Sequence, residues 1–550
     1  MIDTETFSCA DIEADLARSA WHDSEFAQWF APHAKQDVLF GQAGAASFFA
    51  DCSGFAKKFR SSPASVGDAS DTILQSPSAR VFYSLVAKRW APLPGGRTHK
   101  PTAWQIEKAR KYLASRHNTL LAEALRDAER LRSDGETGRA DSLASDARKR
   151  FAAFADASVP CSGPLDDIDS ILELAVANPP LFRIGGELGR LLDARLKPDN
   201  LGIFLADPKV GKTTDLVSLA VLAARSVPTL LVSTGDESKK KLDARIATNI
   251  SFLVTQPEFA GRFAMPVPDC QHNADGSCPI GQSGEPRQVK SWRTLIEDGA
   301  EPEQLAAGSA EGSSTVSGGL YAPCCRCYPT GDGSREDAER RKNWKSAVWW
   351  RMHDFGLVDR QALEEAKKTL AVEFGGSLRT AAYPVGELSV GGLDALLDSL
   401  DRTDGFVPSV IVIDYADLMK QELGRESDKD YDGMRRIWEG LRAISSKYNV
   451  LLLTATQTNR LGEDCETHTR RTIGRSAKAA DNCTWFVSLN QTVVERRAKV
   501  MRVSVMYARE GRYDPERQAL CCQWHEIQDG FPFSMPVFCK IKNEVKARRD

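Results

Sequence analysis

The spacing of apolar and polar positions changes part-way along the chain and divides it. In "ADIEADLARSAWHDSEFAQWF", Ile12, Leu16, Ala20 and Phe26 recur at roughly helical intervals, so residues 1 to about 60 read as helices. "FRSSPASVGDASD" is a polar break. From residue 101 to 158, apolar stripes alternate with charge, which predicts one or two long helices interrupted at "SDGETGRA". "VPCSGPLDD" (159–167) reads as a linker. Beyond it the pattern shortens to buried strands: "NLGIFLA" (200–206), "PTLLVSTG" (228–235), "SVIVIDYADLM" (409–419), "NVLLLTATQ" (449–457), "TWFVSLNQ" (484–491) and "VMRVSVMYA" (500–508). Helical patterns such as "KTTDLVSLAVLAARS" lie between several of them, so a mainly parallel α/β sheet is expected. Residues 260–345, rich in Gly, Ser, Pro and Cys, fit neither texture and read as an insertion. The expected organisation is a helical N-terminal domain (1–100), a helical linker region (101–179) and an α/β domain (180–550) carrying that insertion. There is no internal repeat.

A chain of 550 residues exceeds what one hydrophobic core supports, consistent with two or three domains. With 42% hydrophobic and 27% charged residues it has an ordinary globular composition. The acidic opening is unlike a secretory signal, and runs such as "LVSLAVLAA" are too short to span a bilayer; a soluble, cytoplasmic protein is expected. A net charge of −3 gives no global signature of nucleic-acid binding, so any such binding must come from local basic patches. Thirteen cysteines, an odd number with several in apolar contexts, argue against a secreted disulfide framework.

The chemistry concentrates at "ADPKVGKTT" (206–214), where a strand runs into a loop and then a helix. The pattern is that of a phosphate-binding loop whose first glycine is replaced by Ala206, tolerable if φ is negative there. Asp207, Pro208, Lys209, Val210, Gly211, Lys212, Thr213 and Thr214 would surround the phosphates of ATP, with Lys212 reaching the β/γ oxygens and Thr213 holding Mg²⁺. "VIVID" ends in Asp414, the expected second Mg²⁺ ligand. "STGDES" leaves the next strand with Asp236 and Glu237 at its tip. Either could act on the attacking water, and Glu237 is preferred. Gln457, ending "LLLTATQ", is placed to sense the γ-phosphate.

These motifs, in this order, resemble the RecA-like domain of DnaB-type hexameric replicative helicases. "IDYADLM", "TQTNR", "IGRSAKAADNCTWFVSL", "YAREG" and the lead-in "PLFRIGGELGRLLDARL" carry the resemblance, over about residues 180–255 and 375–515. It implies an ATP-hydrolysing helicase of phage-like or mobile-element type, forming a homo-hexameric ring that moves on single-stranded DNA with ATP sites between subunits. A primase or loader protein is a further partner it leaves open. Arg509 is the implied trans-acting finger, although Tyr507 stands where the family has a lysine. In such a ring the loops 424–436 and 459–478 would face the channel, with Arg470, Arg471, Arg475 and Lys478 on DNA phosphates. The acidic "GDES" tip is equally similar to KaiC-like relatives, so a RecA- or KaiC-like DNA-binding ATPase without unwinding activity is the alternative.

The insertion holds "PDCQHNADGSCP" and "YAPCCRCYP". Cys324 and Cys327 form a C-x-x-C pair that Cys270 and Cys278 could complete as a tetrahedral thiolate site for structural Zn²⁺, with Cys325 and His272 as spare candidates. The competing reading is free or redox thiols. Trp344, Trp349 and Trp350 follow beside lysines and arginines and are expected to pack against this module, with base stacking the alternative.

Overall fold

The computed structural model describes residues 9–31, 39–59, 61–66, 73–90, 100–152, 179–235, 237–280, 290–308, 321, 323–330, 332, 334–421, 430–459, 465–469, 472–473, 479–509, 511, 513–514 and 516–523. The chain divides into two compact units, Met1–Ala177 with Gly405–Val407, and the remainder.

The first unit is helical: α1 (Cys9–His22), α2 (Ser24–Phe30), α3 (Ala45–Phe59), α4 (Pro77–Val86), α5 (Thr102–Ser133) and α6 (Thr137–Ala152). The apolar stripe read from the sequence is its core, where Leu16, Ala20, Phe26, Phe30, Phe48, Phe49 and Phe82 are buried together. Ala109, Tyr112 and Leu113 of α5 enter the same core, so the front of the expected linker region packs with the N-terminal helices. A carboxylate organises this core. Glu13 is fully buried and accepts from the backbone N–H groups of Gly41 (2.5 Å) and Gln42 (3.1 Å) and from the Tyr112 hydroxyl. The interruption between α5 and α6 falls at "DGE", within the expected break, with Gly135 at φ +85°.

The second unit is built on an eight-stranded sheet, ordered β10-β9-β8-β1-β7-β6-β2-β5. Its strands are β1 (Leu201–Ala206), β2 (Thr229–Ser233), β5 (Leu378–Ala382), β6 (Val410–Asp414), β7 (Leu451–Gln457), β8 (Trp485–Asn490), β9 (Val500–Ala508) and β10 (Gln518–Cys522). Pairings from β8 through β5 are parallel, while β9 and β10 join antiparallel. Continuous apolar runs such as "VIVI" suit strands covered on both faces, and β1, β2, β6 and β8 are buried throughout. Helices α7 (Gly186–Leu192), α8 (Lys212–Ala224) and α9 (Lys239–Ser251) cover one side of this core. Gly202 is required by close approach, since a Cβ there would lie 2.0 Å from the Trp485 ring. The sequence pattern anticipates six of these strands. It misses β5, half-exposed along its length at the sheet edge, and β10, which follows a polar turn.

The insertion has an order of its own. Its two strands, β3 (Gly261–Cys270) and β4 (Ser346–Phe355), pair antiparallel from Gly261↔Phe355 to Cys270↔Ser346, so the insertion runs past its expected limit at 345. Its mouth is closed by hydrogen bonds from Val254 N–H to Gly356 O (3.0 Å) and from Val358 N–H to Val254 O (2.8 Å). Trp349 and Trp350 lie in a core with Val267, Ile296, Val500 and Cys522, and the Trp350 indole donates to Ala498 O at 3.1 Å. These tryptophans are packing residues, so the base-stacking alternative does not hold for them. No helix among the described residues is long and apolar enough to cross a membrane.

Candidate nucleotide site

The carboxyl ends of β1, β6, β2 and β7 converge on one edge of the sheet. Ala206 ends β1 as a buried strand residue, and the left-handed positions of the following loop fall on Lys209 (φ +66°) and Gly211 (φ +102°). The turn therefore places its demand for positive φ away from residue 206, which is why an alanine serves there. Gly211 is the N-cap of α8, so the free N–H groups of the first helical turn open onto the loop.

Lys212 Nζ donates to the carbonyls of Ala206 (2.9 Å) and Asp207 (2.8 Å). Burial lowers its ammonium to about 8, against the pull of Asp207, Asp417, Asp414 and Asp215. Thr213 Oγ1 donates to Asp414 Oδ1 at 3.1 Å, bringing the start of α8 to the end of β6. Burial raises the Asp414 carboxyl to about 6; the Thr213 bond opposes this and the nearby Glu237 adds to it. A hydroxyl and a carboxylate on adjoining elements, both oxygen donors beside a lysine, fit the ligand chemistry of Mg²⁺ with a phosphate chain.

Glu237 follows β2 at the mouth of α9, whose N-cap Ser238 accepts from Lys241 N–H. Its carboxylate is gripped by Arg245, with Nε at 2.7 Å and 2.9 Å from the two oxygens and Nη2 at 2.6 Å from Oε1. Asp236, the other candidate, lies outside the described residues. Gln457 ends β7 in register with Ala206; its side-chain amide donates to Tyr415 Oη at 2.7 Å. Asp417 accepts from Thr456 Oγ1 (2.7 Å) and Gln457 N–H (3.3 Å), and Thr234 Oγ1 donates to Tyr415 O (2.8 Å). The ends of β2, β6 and β7 are thereby stitched together around Lys212.

Arg509 stands apart. It follows β9, its N–H donates to Thr484 O at 2.8 Å, and its guanidinium donates to Asp481 O. Arg470, Arg471, Arg475 and Lys478 lie outside the described residues.

Of the cysteines, Cys270 ends β3 and shares a buried cluster with Cys327, Tyr328 and Trp344. Asp269 Oδ1 accepts from the N–H groups of both Cys270 (2.8 Å) and Cys324 (2.7 Å), tying the two cysteine segments together. Burial raises the Cys327 thiol, and Cys270, Cys324 and Cys278 add to the rise. The spare candidates turn elsewhere: Cys325 Sγ donates to Pro268 O (3.1 Å), and His272 Nδ1 bonds Ser277 Oγ (2.6 Å). The four predicted ligands are neighbours. No group of three or more His, Cys, Asp or Glu among the described residues is drawn together closely enough to hold a metal ion.

Sequence reading missed Arg245, Tyr415, Asp417 and Asp215. Arg245 could have been found from its place two helical turns beyond Glu237. Asp215 gave a plainer signal, a carboxylate in the first turn of a helix whose remainder is almost wholly apolar. It is 1% exposed, neither of its oxygens has a hydrogen-bond partner among the described residues, and burial drives its carboxyl far up.

No protein-family model matches the chain. Over 118 residues it is 26% identical to a DnaB-like replicative helicase of Enterobacteria phage T4. The chain is similar to a DnaB-like helicase. The matched stretch is 21% of this chain and 25% of the phage protein, so the chain spans about a quarter of the length of the curated relative it matches. Among solved structures, an isolated ATPase domain aligns at 12% identity and a TM-score of 0.41, over 68% of this chain and 99% of that one. A DnaB-like replicative helicase, described with its interactions with primase, aligns at 11% identity and a TM-score of 0.42, over 95% and 98%. The fold class is α/β: a mainly parallel eight-stranded sheet, with a strand, loop and helix at β1–α8 that carry the phosphate-loop pattern.

Proposed function

We propose that this chain is an ATP-driven helicase that assembles as a ring, most simply a homo-hexamer, and moves along single-stranded DNA to open duplex during replication. The observation that carries the reading is the Thr213–Asp414 pair beside Lys212, with Glu237 against it, at one end of a parallel sheet. Mg²⁺ bound by Thr213 and Asp414 would supply neutralising charge on the β- and γ-oxygens of ATP. Lys212 would turn the two N–H donors now on loop carbonyls, of the three its ammonium carries, to phosphate oxygens. Glu237, oriented by Arg245, would take the proton of the attacking water. Gln457, positioned by Tyr415, would contact the γ-phosphate, and Arg509 would act in the neighbouring subunit's site. Contacts to DNA phosphates are assigned to Arg470, Arg471, Arg475 and Lys478 on their sequence alone.

The test is ATP hydrolysis and strand displacement by the purified chain. Wild type should hydrolyse ATP faster with single-stranded DNA and displace a labelled strand from a forked duplex, and Lys212→Ala should do neither. DNA-stimulated hydrolysis without displacement on any fork polarity would favour the RecA- or KaiC-like alternative.

We further propose a structural Zn²⁺ on Cys270, Cys278, Cys324 and Cys327. The shared cluster of Cys270 and Cys327, and the Asp269 bridge between Cys270 and Cys324, support it. Elemental analysis should find about one zinc per chain, reduced in Cys324→Ser. Metal-free protein that keeps its fold would sink this proposal.

A further inference from the structure

The phosphate loop carries an aspartate that phosphate binding does not ask for. An anionic carboxylate in a loop that receives anions works against them unless it is committed elsewhere. Asp207 is committed. Thr458 Oγ1 donates to its Oδ1, and His468 Nε2 stands 3.6 Å from its Oδ2. His468 is 3% exposed, and its backbone N–H donates to Asn490 Oδ1 at 2.8 Å.

Both partners belong to a segment fixed from several sides. Thr458 is the residue after Gln457 and forms an isolated antiparallel bridge with Ile473. Asn459 N–H donates to Thr472 O (2.9 Å), and Thr472 Oγ1 donates to Thr469 O (2.7 Å). Arg502 on β9 donates to Glu466 O (2.6 Å) and Thr467 Oγ1 (3.2 Å). Two further ties run to the phosphate loop itself: Thr458 N–H donates to Ala206 O (3.4 Å), and the Thr458 hydroxyl donates to Asp207. That residue's carbonyl also accepts from Lys212. With three N–H donors, Lys212 cannot bond two phosphate oxygens and keep both loop carbonyls. A lysine turning to phosphates thus loosens the peptide that carries the Asp207 side chain.

We propose that Asp207, Thr458 and His468 form a latch through which phosphates in the loop reposition residues 465–469 and 472–473. Thr458 and His468 are positioning residues. The inference rests on the ATP-binding reading and deepens it, because it names the route by which the nucleotide site addresses the segment beyond Gln457.

Hydrogen exchange of the full chain, with and without saturating Mg–ATPγS, tests the latch. In wild type, peptides spanning 465–473 should change exchange rate by at least about threefold on binding. In Thr458→Val and in His468→Ala the change should vanish, with affinity for Mg–ATPγS within about threefold of wild type. Thr458→Ser, which keeps the hydroxyl, should restore it; a residue that merely fills space would not show this rescue. If His468→Ala folds poorly, the Thr458 pair decides alone. Unaltered exchange changes in Thr458→Val, or wild type that binds Mg–ATPγS with no change over 465–473, would overturn the latch. Wild type that binds no nucleotide would instead overturn the ATPase reading, and the latch with it.

Discussion

Thr213 Oγ1 lies 3.1 Å from Asp414 Oδ1, although β1, which leads into Thr213, and β6, which ends in Asp414, are separated in the sheet by β7. Residues 201 positions apart thus meet across an intervening strand. Asp414→Asn leaves a carbonyl oxygen to accept the Thr213 hydrogen bond but removes the negative charge offered to a divalent cation. Mg²⁺-dependent ATP hydrolysis should fall about a hundredfold or more, a loss of several kcal/mol of charge stabilisation, while binding of ATP in EDTA stays near wild type. A steady-state assay beside binding measured with and without Mg²⁺ checks it. Equal losses in both would mean that Asp414 serves the fold and not the metal.

The Arg245 fork fixes both oxygens of Glu237, so these two residues should act as a unit. Glu237→Gln should bind ATP and fail to hydrolyse it. Arg245→Ala should lower kcat by about tenfold or more, about 1.4 kcal/mol per decade, with KM little changed, because orientation of a base is felt at the chemical step. If Glu237→Gln turned over normally and Asp236→Asn did not, the base would be Asp236.

A shared site requires that Arg509 work from one subunit into the next. Mixing Arg509→Ala with Lys212→Ala chains, each inactive alone, should restore part of the ATPase activity, since some interfaces then pair an intact loop with an intact arginine. Assembled mixtures that recover nothing, while added wild type does, would remove Arg509 from the mechanism.

Stability of the helical unit should depend on acid through Asp15. Burial alone would raise this carboxyl, but Lys108 and Lys100 hold it down to about 2. A folded value below the unfolded one contributes stability above about pH 4 that is lost as pH falls toward 2. The carboxylate is 31% exposed, so solvent screening trims the contribution to about 1 kcal/mol. Asp15→Asn should therefore destabilise by about that much at pH 7, and the gap from wild type should close near pH 2. Denaturant melts of both proteins at the two pH values measure it; a gap independent of pH would show that the ion pairs contribute nothing.

In the sheet, Gly202→Ala should cost roughly 1–3 kcal/mol, since the added methyl meets the Trp485 ring. Loss of Trp485 fluorescence at lower urea would report it, and Gly202→Ala with Trp485→Phe should recover part of the loss.

What the sequence made legible was whatever is written in contiguous residues. "VIVID" announces a buried strand ending in a carboxylate, and "ADPKVGKTT" a strand, loop and helix, because burial on both faces and backbone φ are local demands. β5 was illegible because an edge strand buries little and so shows no apolar run. The β3–β4 ribbon was hidden by Pro266 and Pro268, which read as loop residues until their partners are known. Arg245 and Tyr415 escaped for another reason. Spacing could have brought Arg245 near Glu237, but the geometry in which Arg245 and Tyr415 meet Glu237 and Gln457 is not encoded along the chain. The cysteines show the converse: a legible motif brought into one neighbourhood without being closed.

Val254 holds both sides of the insertion's doorway, receiving the outgoing chain and greeting the returning one within a single pair of hydrogen bonds. To the sheet's connectivity, everything beyond that doorway is one lengthened crossover between β2 and β5. The chain could have acquired the cysteine-bearing excursion, or could shed it, without rethreading a strand. Added length away from the core it shares with Val500 and Cys522 would cost only the slow logarithmic growth of loop entropy. The candidate nucleotide site and the loops at the far end of the excursion can thus change on separate schedules, with Val254 as the seam.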